Sequence, residues 1–191
     1  MRFILIRHAQ SAPNSSSHQS EWGLTAAGEH SCIELARFLK EQNTTALYSS
    51  HEHKSIKTAE FAASQLGITH SVWDGVQEQN NDGVGWFESA DDFRAAVRKL
   101  FEQPTELVFG PETAAEAGQR MQAALAQLAN THLPEETVAI VSHGRVITSF
   151  LQQTTTIDPI DFWLSLTFPD CIIIEWPEIA IVGRKSFEFH P

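Results

Sequence analysis

Short apolar runs recur along the chain, and each is long enough for one strand. Three of them predict buried strands at residues 3–6, 46–49 and 137–142. Polar, partly cationic residues follow each of these runs directly, as in Arg7-His8 and His143-Gly144-Arg145. Because ligands of open α/β sheets bind at the carboxyl ends of the strands, the pattern predicts a functional site at these positions.

Between these runs, apolar residues recur at helical spacing and predict five amphipathic helices. Thr25 can cap the first helix, Gly67 ends the second, and Pro104 follows the third. The apolar stripes lie within residues 25–41, 56–66, 93–100, 113–128 and 146–151. We also expect a short strand at 71–73 and a loop with several glycines at 75–88.

The C-terminal part of the chain returns to β-type runs. Residues 163–168 and 172–176 predict two strands joined by a turn at Pro169-Asp170, and residues 179–189 predict one more edge strand. Strands that alternate with helices and end in hairpins indicate an α/β fold, a three-layer α/β/α sandwich with a mostly parallel central sheet. No repeat or linker interrupts the 191 residues, so we expect a single domain over 1–191.

Composition narrows the classes of partner and the location. The 24 acidic and 13 basic residues give a formal net charge of -11, which argues against nucleic acid and anionic membranes as partners. Cys32 and Cys171 stand in apolar contexts without metal-ligand spacing, so we expect buried free thiols and a reducing compartment. The first apolar run is too short for a signal peptide and no run has membrane-spanning length, so we expect a cytoplasmic protein. Monomer and homodimer both stay open.

Several polar groups at the predicted strand ends and loops suit one kind of chemistry. Phosphoryl transfer without a metal needs cations for the phosphate charge, a nucleophile opposite the leaving oxygen and a proton donor for that oxygen. The chain offers such groups in Arg7, His8, Asn14, Ser49, Lys54, Glu78 and His143. Because the net charge of the protein is negative, the protein as a whole repels a phosphate ester, and this local cluster of cations must overcome that repulsion.

Six motifs, in the same order along the chain, resemble those of the histidine phosphatase superfamily, also called phosphoglycerate mutase-like. The matched stretches are residues 7–14 (family pattern Arg-His-Gly-x-Ser/Thr-x-x-Asn), 24–28 (Leu-Thr-x-x-Gly), 49–59 (Ser-Ser-Pro-Leu-x-Arg-Ala-x-Gln-Thr-Ala), Glu78 with Gly85-Trp86 (acidic loop), 110–113 with Arg120 (Gly-x-Glu-Ser/Thr) and 142–144 (Ser-His-Gly). Together they span nearly the whole chain. The resemblance implies the phosphoglycerate mutase-like fold and a reaction on a phosphomonoester.

The reaction that the resemblance implies is covalent and has two steps. His8, as a neutral imidazole, would attack phosphorus and become phosphohistidine. Glu78 would protonate the leaving alkoxide and then accept a proton from the attacking water. That role asks for a carboxyl pKa raised by an apolar neighbourhood, which Trp86 and Phe87 are near enough in sequence to provide.

The resemblance also implies which groups hold the phosphate. Arg7 and Lys54 would bind the phosphoryl oxygens, and His143 would join them as an imidazolium donor. Asn14 would add a neutral hydrogen bond. No metal or cofactor is implied. The expected site therefore combines catalytic His8, Glu78 and His143 with phosphate-binding Arg7, Asn14 and Lys54.

Three departures from the family pattern matter most. Ala9 replaces a glycine, and a methyl group there would crowd the phosphate or tilt His8. Lys54 replaces the second arginine, which keeps the charge and loses the planar fork. His51 replaces a proline in what we expect to be an exposed loop. Because the nucleophile, both imidazoles, one arginine and the acid remain, we expect activity, whether full or reduced.

The leading hypothesis is thus a phosphatase that acts on a small phosphorylated metabolite or on a phosphohistidine protein. Mutase-type phosphoryl transfer ranks second, because only Arg94, Arg98 and Lys99 stand where mutases carry a basic insertion, and these suit a solvated helix face. A non-catalytic phosphate-binding protein of the same fold is a further alternative. A metal site built on His51 and His53 ranks last. The substrate itself stays open.

Other polar residues near the motifs fit structural roles. Glu52 has a spacing that fits the protein surface. Thr113 fits a helix cap, and Arg120 fits an ion pair with Glu112 or Glu116 in its own helix region. We therefore expect none of these residues to take part in the chemistry.

Overall fold

The structure is a computed structural model that describes residues 1–187. Within these residues a six-stranded sheet carries helices on both faces. The strands are β1 (Arg2–Arg7), β2 (Thr44–Ser49), β3 (His70–Val72), β4 (Thr137–Ser142), β5 (Asp170–Glu175) and β6 (Ala180–Ser186). The helices are α1 (Ala26–Glu41), α2 (His53–Leu66), α3 (Ala90–Glu102), α4 (Ala114–Ala129), α5 (Gly144–Thr154) and α6 (Pro159–Ser165).

The strand order of the sheet is β3-β2-β4-β1-β5-β6. Strands β3, β2, β4 and β1 pair in parallel, whereas β5 runs antiparallel to β1 and β6 antiparallel to β5. Parallel neighbours need long crossover connections, and helices α1 and α2 lie on the connections between β1, β2 and β3. The predicted α/β fold with a mostly parallel sheet is confirmed.

Both faces of the central strand β1 are buried, which makes the fold three-layered. Phe3 and Leu5 pack on one face against α4 and α5, and Ile4 and Ile6 pack on the other face against α1 and α2. All four side chains are fully buried. A strand buried on both sides must be apolar throughout, which is why this stretch reads as a continuous apolar run.

The parallel pairing brings the carboxyl ends of three strands to one edge of the sheet. Arg7 at the end of β1 lies opposite Ser142 at the end of β4, and Ser49 at the end of β2 lies opposite Val141. The next backbone amide continues the β1–β4 ladder, because His8 donates to the carbonyl oxygen of Ser142 at 3.0 Å. The segments that leave this edge therefore start from fixed positions.

Helix ends follow the signals in the sequence. The Thr25 hydroxyl accepts a hydrogen bond from the Gly28 amide at 2.9 Å, and Thr113 forms a reciprocal capping box with Glu116. The guanidinium of Arg120 pairs with Glu112 at 2.7 Å, as expected. Gly28 has a further reason to be glycine, since a Cβ there would collide with the backbone carbonyl of Gln10.

One predicted strand is wrong. Residues 163–168 do not form a strand, because helix α6 occupies Pro159–Ser165. The Asp158 carboxylate caps this helix by accepting from two backbone amides, and Pro159 stands in its first turn. The late hairpin is instead formed by β5 and β6, and β6 is the expected edge strand. The end of that predicted strand, at 188–189, lies outside the described residues.

Two expectations from composition can be compared with the structure. Cys32 and Cys171 are buried free thiols, as expected. Burial also raises the pKa of Cys32 to about 12. Over residues 1–187, every helix is too short or too polar to cross a membrane.

Candidate active site

The segments that follow β1, β2 and β4 line a cavity of about 350 Å³. Side chains that are far apart in sequence meet there, namely those of Arg7, His8, Lys54, Glu78 and Arg145. His143 lies directly beside them, with 5.2 Å between the ring centroids of His8 and His143. Parallel strands thus bring together five of the six site residues predicted from the sequence, and only Asn14 stays apart.

The orientation of His8 leaves one ring nitrogen free. Its Nδ1 lies 2.8 Å from the carbonyl oxygen of Ala9, and a carbonyl can only accept, so Nδ1 carries the proton. The lone pair of the neutral ring is then on Nε2. Burial lowers the pKa of His8 well below its usual range, and the fields of His143 and Lys54 lower it further. At neutral pH the ring is therefore uncharged and nucleophilic.

Arg7 is anchored at one end and has an unused donor at the other. Its Nη1 donates to the carbonyl oxygen of Leu166 at 2.8 Å, and its guanidinium lies 3.5 Å from the ring centroid of Phe168. Its Nε is buried and has no hydrogen-bond partner in the protein. Burial lowers the pKa of Arg7 to about 10, so the side chain is still a cation at neutral pH. An unpaired buried N–H is costly unless a ligand accepts from it.

His143 is fully buried and bonded on one side only. Its Nε2 lies 2.7 Å from the Ser50 hydroxyl and 3.2 Å from Oε1 of Glu52, and its Nδ1 has no partner. Burial lowers the pKa of His143 well below its usual range, Lys54 adds to this, and Glu78 opposes it. The imidazolium expected from the sequence is thus not the form of His143 that burial favours. A bound phosphate dianion would raise this pKa.

Lys54 is bound to a buried carboxylate. Its Nζ donates to Oε2 of Glu52 at 2.7 Å, and each side chain is only 6% exposed. The Nζ also donates to the carbonyl oxygen of Gln19 at 2.9 Å. Burial alone raises the pKa of Glu52, but Lys54, the Glu78 amide and His8 together outweigh it, and the pKa is lowered overall. The expectation that Glu52 lies on the surface is wrong, and the charge of Lys54 is balanced within the protein.

Glu78 is held at the N-terminus of α5. Its carboxylate accepts from the backbone amides of Val146 at 2.9 Å and of Arg145 at 3.3 Å. Burial alone raises the pKa of Glu78, but Arg145, His143 and the Gln79 amide bring it below its usual range. The raised pKa expected from apolar neighbours is wrong, since Trp86 is 58% exposed and packs on Trp22 instead. At neutral pH Glu78 is therefore a carboxylate.

Asn14 is the predicted site residue that does not reach the cavity. It is exposed, and its Oδ1 accepts from the Ser16 amide at 2.9 Å in a local turn. Its backbone carbonyl accepts from the indole of Trp22 at 3.1 Å. Its neighbour Pro13 does line the cavity, so the motif passes along the rim.

Arg145 was not predicted from the sequence as a site residue. It is only 4% exposed, and its guanidinium lies 4.9 Å from the ring centroid of Phe109. Its Nε stands 3.8 Å from Oε2 of Glu78 and has no hydrogen-bond partner. The signal was present in the cationic segment after β4. A guanidinium next to His143-Gly144 at a strand end could have been assigned to the site on that ground.

The departures at Ala9 and His51 have modest structural effects. Among the described non-glycine residues, positive φ angles occur at Asn43 and Ile179, so Ala9 does not need the left-handed conformation that favours glycine. Its methyl group is fully buried, and its amide donates to the Thr58 hydroxyl at 3.0 Å. His51 is exposed, as expected. Within residues 1–187, no three His, Cys, Asp or Glu side chains are grouped so that they could hold a metal ion.

Helices on both faces of a mostly parallel sheet, with this group of cations and imidazoles at its carboxyl edge, define a phosphoglycerate mutase-like α/β protein. A model of the histidine phosphatase superfamily (branch 1) matches residues 3–175. The chain therefore belongs to the histidine phosphatase superfamily, and the resemblance of its motifs is confirmed. Among curated proteins, no sequence matches the chain.

Solved structures from several organisms share the fold. A phosphoserine phosphatase from Entamoeba histolytica, in complex with phosphoserine, has a TM-score of 0.76 at 18% identity over 97% of this chain and 96% of its own. YhfR of Bacillus stearothermophilus has a TM-score of 0.72 at 20% identity over 98% of both chains. A mycobacterial glucosyl-3-phosphoglycerate phosphatase has a TM-score of 0.71 at 19% identity over 96% of this chain and 95% of its own. At these identities the likeness concerns the fold.

Proposed function

We propose that this protein is a metal-independent phosphatase that hydrolyses a phosphomonoester through a phosphohistidine on His8. The observation that carries the proposal is the free lone pair on Nε2 of His8, in a cavity where two buried arginine Nε–H groups lack a partner. A nucleophile without a proton, beside unused cationic donors, suits attack on a phosphoryl group. Two of the three structural neighbours described above are phosphatases, which agrees with this reaction class.

In the first step, Nε2 of His8 forms a bond to phosphorus while the bond from phosphorus to the ester oxygen breaks. The leaving alkoxide takes a proton from Glu78. Because its lowered pKa keeps Glu78 ionised at neutral pH, a substrate that arrives as a phosphate monoanion would supply this proton, and the second pKa of a phosphate ester is about 6. The negative charge of the bound phosphate then favours the protonated carboxyl group.

In the second step, water attacks phosphorus and the bond to Nε2 of His8 breaks. The Glu78 carboxylate, now without its proton, accepts the proton of the attacking water. The phosphate that forms takes this proton from Glu78 and leaves as a monoanion, and His8 returns to its neutral form. Glu78 is then a carboxylate again, and each substrate monoanion brings the proton for the next turnover.

The phosphate would be held by Arg7, Lys54, His143 and Arg145. Arg7 and Arg145 each offer an unpaired Nε–H, and Nδ1 of His143 is equally unpaired. Lys54 donates to Glu52 and to Gln19, which leaves one of its three N–H groups for the phosphate. Asn14 is not part of this set, since it does not line the cavity.

A direct test incubates the purified protein with an aryl phosphate such as p-nitrophenyl phosphate. The wild type should release phosphate, His8→Ala should release none, and the exposed His53→Ala control should behave as the wild type. With a labelled phosphoryl group, the wild type should also yield an acid-labile phosphoprotein. Equal hydrolysis by wild type and His8→Ala would overturn the proposal. Loss of activity with a chelator would point instead to a metal site.

One observation favours a second candidate, a non-catalytic phosphate-binding protein. The buried Glu52 carboxylate balances Lys54 and places a negative charge near the phosphate position. Tight binding of inorganic phosphate without any His8-dependent turnover would support this candidate. Mutase-type transfer has less support, because Arg94, Arg98 and Lys99 are exposed on α3, where Arg94 pairs with Asp91.

A further inference from the structure

A second cavity, of about 580 Å³, adjoins the one that contains His8. The two cavities share Pro13, Gln19, Trp22 and Phe93 in their walls. A ligand whose phosphate lies against His8 can therefore extend into the second cavity without leaving the protein surface. In a phosphomonoester, the part that extends is the alcohol that leaves.

Four large aromatic rings line this second cavity, and we call it the aromatic cleft. It is lined by Trp22, Val84, Trp86, Phe87 and Phe93, with polar residues between them. Trp22 and Trp86 meet edge to face at 6.0 Å, and Phe87 and Phe93 do so at 5.5 Å. Phe87 is also stacked on Phe109 at 5.8 Å, which supports it from the core side. Rings packed in this way offer a preformed apolar surface.

Trp86 is the ring that the fold explains least. It is 58% exposed, on the segment between β3 and α3, and its only ring partner in the described structure is Trp22. A large exposed aromatic side chain next to the phosphate cavity indicates a position where an apolar part of a ligand would be buried. A ligand bound in the cleft would cover the exposed face of Trp86.

The cleft is lined by few charged side chains, which bears on the kind of leaving group that it would bind. Of the residues that line it, none is a lysine or an arginine; the titratable ones are His18 and Glu88, and His18 already lies 3.4 Å from Asp82. The nearest arginine on α3, Arg94, is paired with Asp91 and lines a separate cavity. Lys54 and Arg145 approach the cleft only at the wall that it shares with the phosphate cavity, 5.8 Å from the ring centroid of Trp22 and 5.9 Å from that of Phe93. A carboxylate that extended beyond this wall would therefore face the exposed Glu88 with no cation among the residues that line the cleft.

We propose that the aromatic cleft binds the leaving group and that the preferred substrates are phosphomonoesters of apolar, uncharged alcohols. This inference rests on the proposed phosphatase activity and deepens it by naming the substrate class. The phosphate end is recognised by the cations around His8, and the alcohol end by burial against Trp22, Trp86 and Phe93. Selectivity then comes from apolar contact, with the uncompensated Glu88 acting against acidic alcohols.

The test compares three phosphomonoesters of alkyl alcohols: phenethyl phosphate, glycerol phosphate and phosphoglycolate. The same type of bond is cleaved in all three, and the alcohols differ in carrying a phenyl ring, hydroxyl groups or a carboxylate. Phenethyl phosphate should have the highest kcat/KM, by about tenfold or more over glycerol phosphate, because its ring is buried in the cleft. Phosphoglycolate should be the poorest of the three. Calorimetry with phenethylphosphonate and phosphonoacetate, which cannot be hydrolysed, measures the same preference in binding alone.

Trp86→Ala probes the cleft without touching the phosphate cavity. It should lower the preference for phenethyl phosphate over glycerol phosphate by about fivefold, with inorganic phosphate inhibiting as in the wild type. Leu133→Ala is a matched control, since Leu133 is an exposed apolar side chain, 61% exposed, far from the cleft in the loop before β4. It should leave the preference as it is.

The outcomes separate the two proposals. If phosphate release depends on His8 but the three esters are used equally, or phosphoglycolate is preferred, the inference on the cleft fails and the phosphatase stands. If no ester is hydrolysed while phenethylphosphonate still binds more tightly than phosphonoacetate, the phosphatase fails and the cleft stands as a binding site. Equal binding of the two phosphonates by an inactive protein would overturn both.

Discussion

The buried pair of Glu52 and Lys54 can be tested by a double-mutant cycle. Both residues depart from the family pattern, in which Leu and Arg occupy these positions, and the structure places them 2.7 Å apart with each side chain only 6% exposed. Glu52→Gln removes the negative charge and keeps an oxygen that can accept from the Glu78 amide, as Oε1 of Glu52 does at 2.9 Å. Lys54→Met removes the ammonium and keeps the apolar stem.

The expected magnitude follows from burial. Two unit charges 2.7 Å apart attract by about 6 kcal/mol at an effective dielectric constant near 20, which is an upper limit before desolvation is counted. Breaking a buried pair from one side typically costs about 3–5 kcal/mol, because the other charge is left uncompensated. Each single variant should therefore lose about 3 kcal/mol of unfolding free energy. The double variant should lose no more than either single one, a coupling energy of about 3 kcal/mol or more.

Urea denaturation of the four proteins measures these free energies. Lys57 and Glu60 provide a matched control, because they pair at 2.8 Å on α2 with side chains 43% and 49% exposed. Lys57→Met and Glu60→Gln should be coupled by about 0.5 kcal/mol or less. Additive losses for Glu52→Gln and Lys54→Met, or a coupling no larger than that of the control pair, would refute the reasoning.

Three further predictions concern the site and its supports. Arg145→Lys keeps the charge but loses the Nε–H, so the inhibition constant of inorganic phosphate should rise about tenfold in steady-state assays, and an unchanged value would remove Arg145 from the phosphate site. Burial lowers the pKa values of His8 and His143, so below pH 6.5 the unfolded chain takes up protons that the folded chain does not. Stability should thus be full above pH 6.5 and fall below it by up to about 1.4 kcal/mol per histidine per pH unit; urea midpoints at pH 7.5 and pH 5.5 measure this, and His143→Asn should weaken the dependence. Gly28→Ala should cost about 2 kcal/mol or more, because its Cβ would meet the Gln10 carbonyl; a thermal midpoint equal to that of the wild type would contradict this.

The fold was predictable where one local signal decided the structure. Strand β4 was predicted with the bounds it has, Thr137–Ser142, because an apolar run there is bounded by turn and polar residues. Helix α6 was missed because the aromatic and aliphatic residues near Trp163 suit either a strand or a buried helix. The capping signal of Asp158 and Pro159 was the information that separates the two.

The site was predictable in its positions and less so in its electrostatics. His8 and His143 could be placed together because both follow parallel strands. The burial of Glu52 could not be read from its spacing, since a charged residue next to a helix start is usually solvated, and only its pairing with Lys54 makes burial tolerable. The lowered pKa of Glu78 depends mainly on the charges of Arg145 and His143, which are distant in sequence.

The hydrogen bonds from α5 to Glu78 have a mechanical consequence. Residues 73–89 carry both this carboxylate and the Trp86 ring of the aromatic cleft, so one segment would touch the alcohol and also deliver its proton. An alcohol bulky enough to push the segment outward would pull the carboxylate off its amide anchors. The cations around His8 would still bind the phosphate group of such an ester, but the ester would be cleaved slowly. The protein would then discriminate between small and bulky substrates by a difference in kcat rather than by a difference in binding affinity.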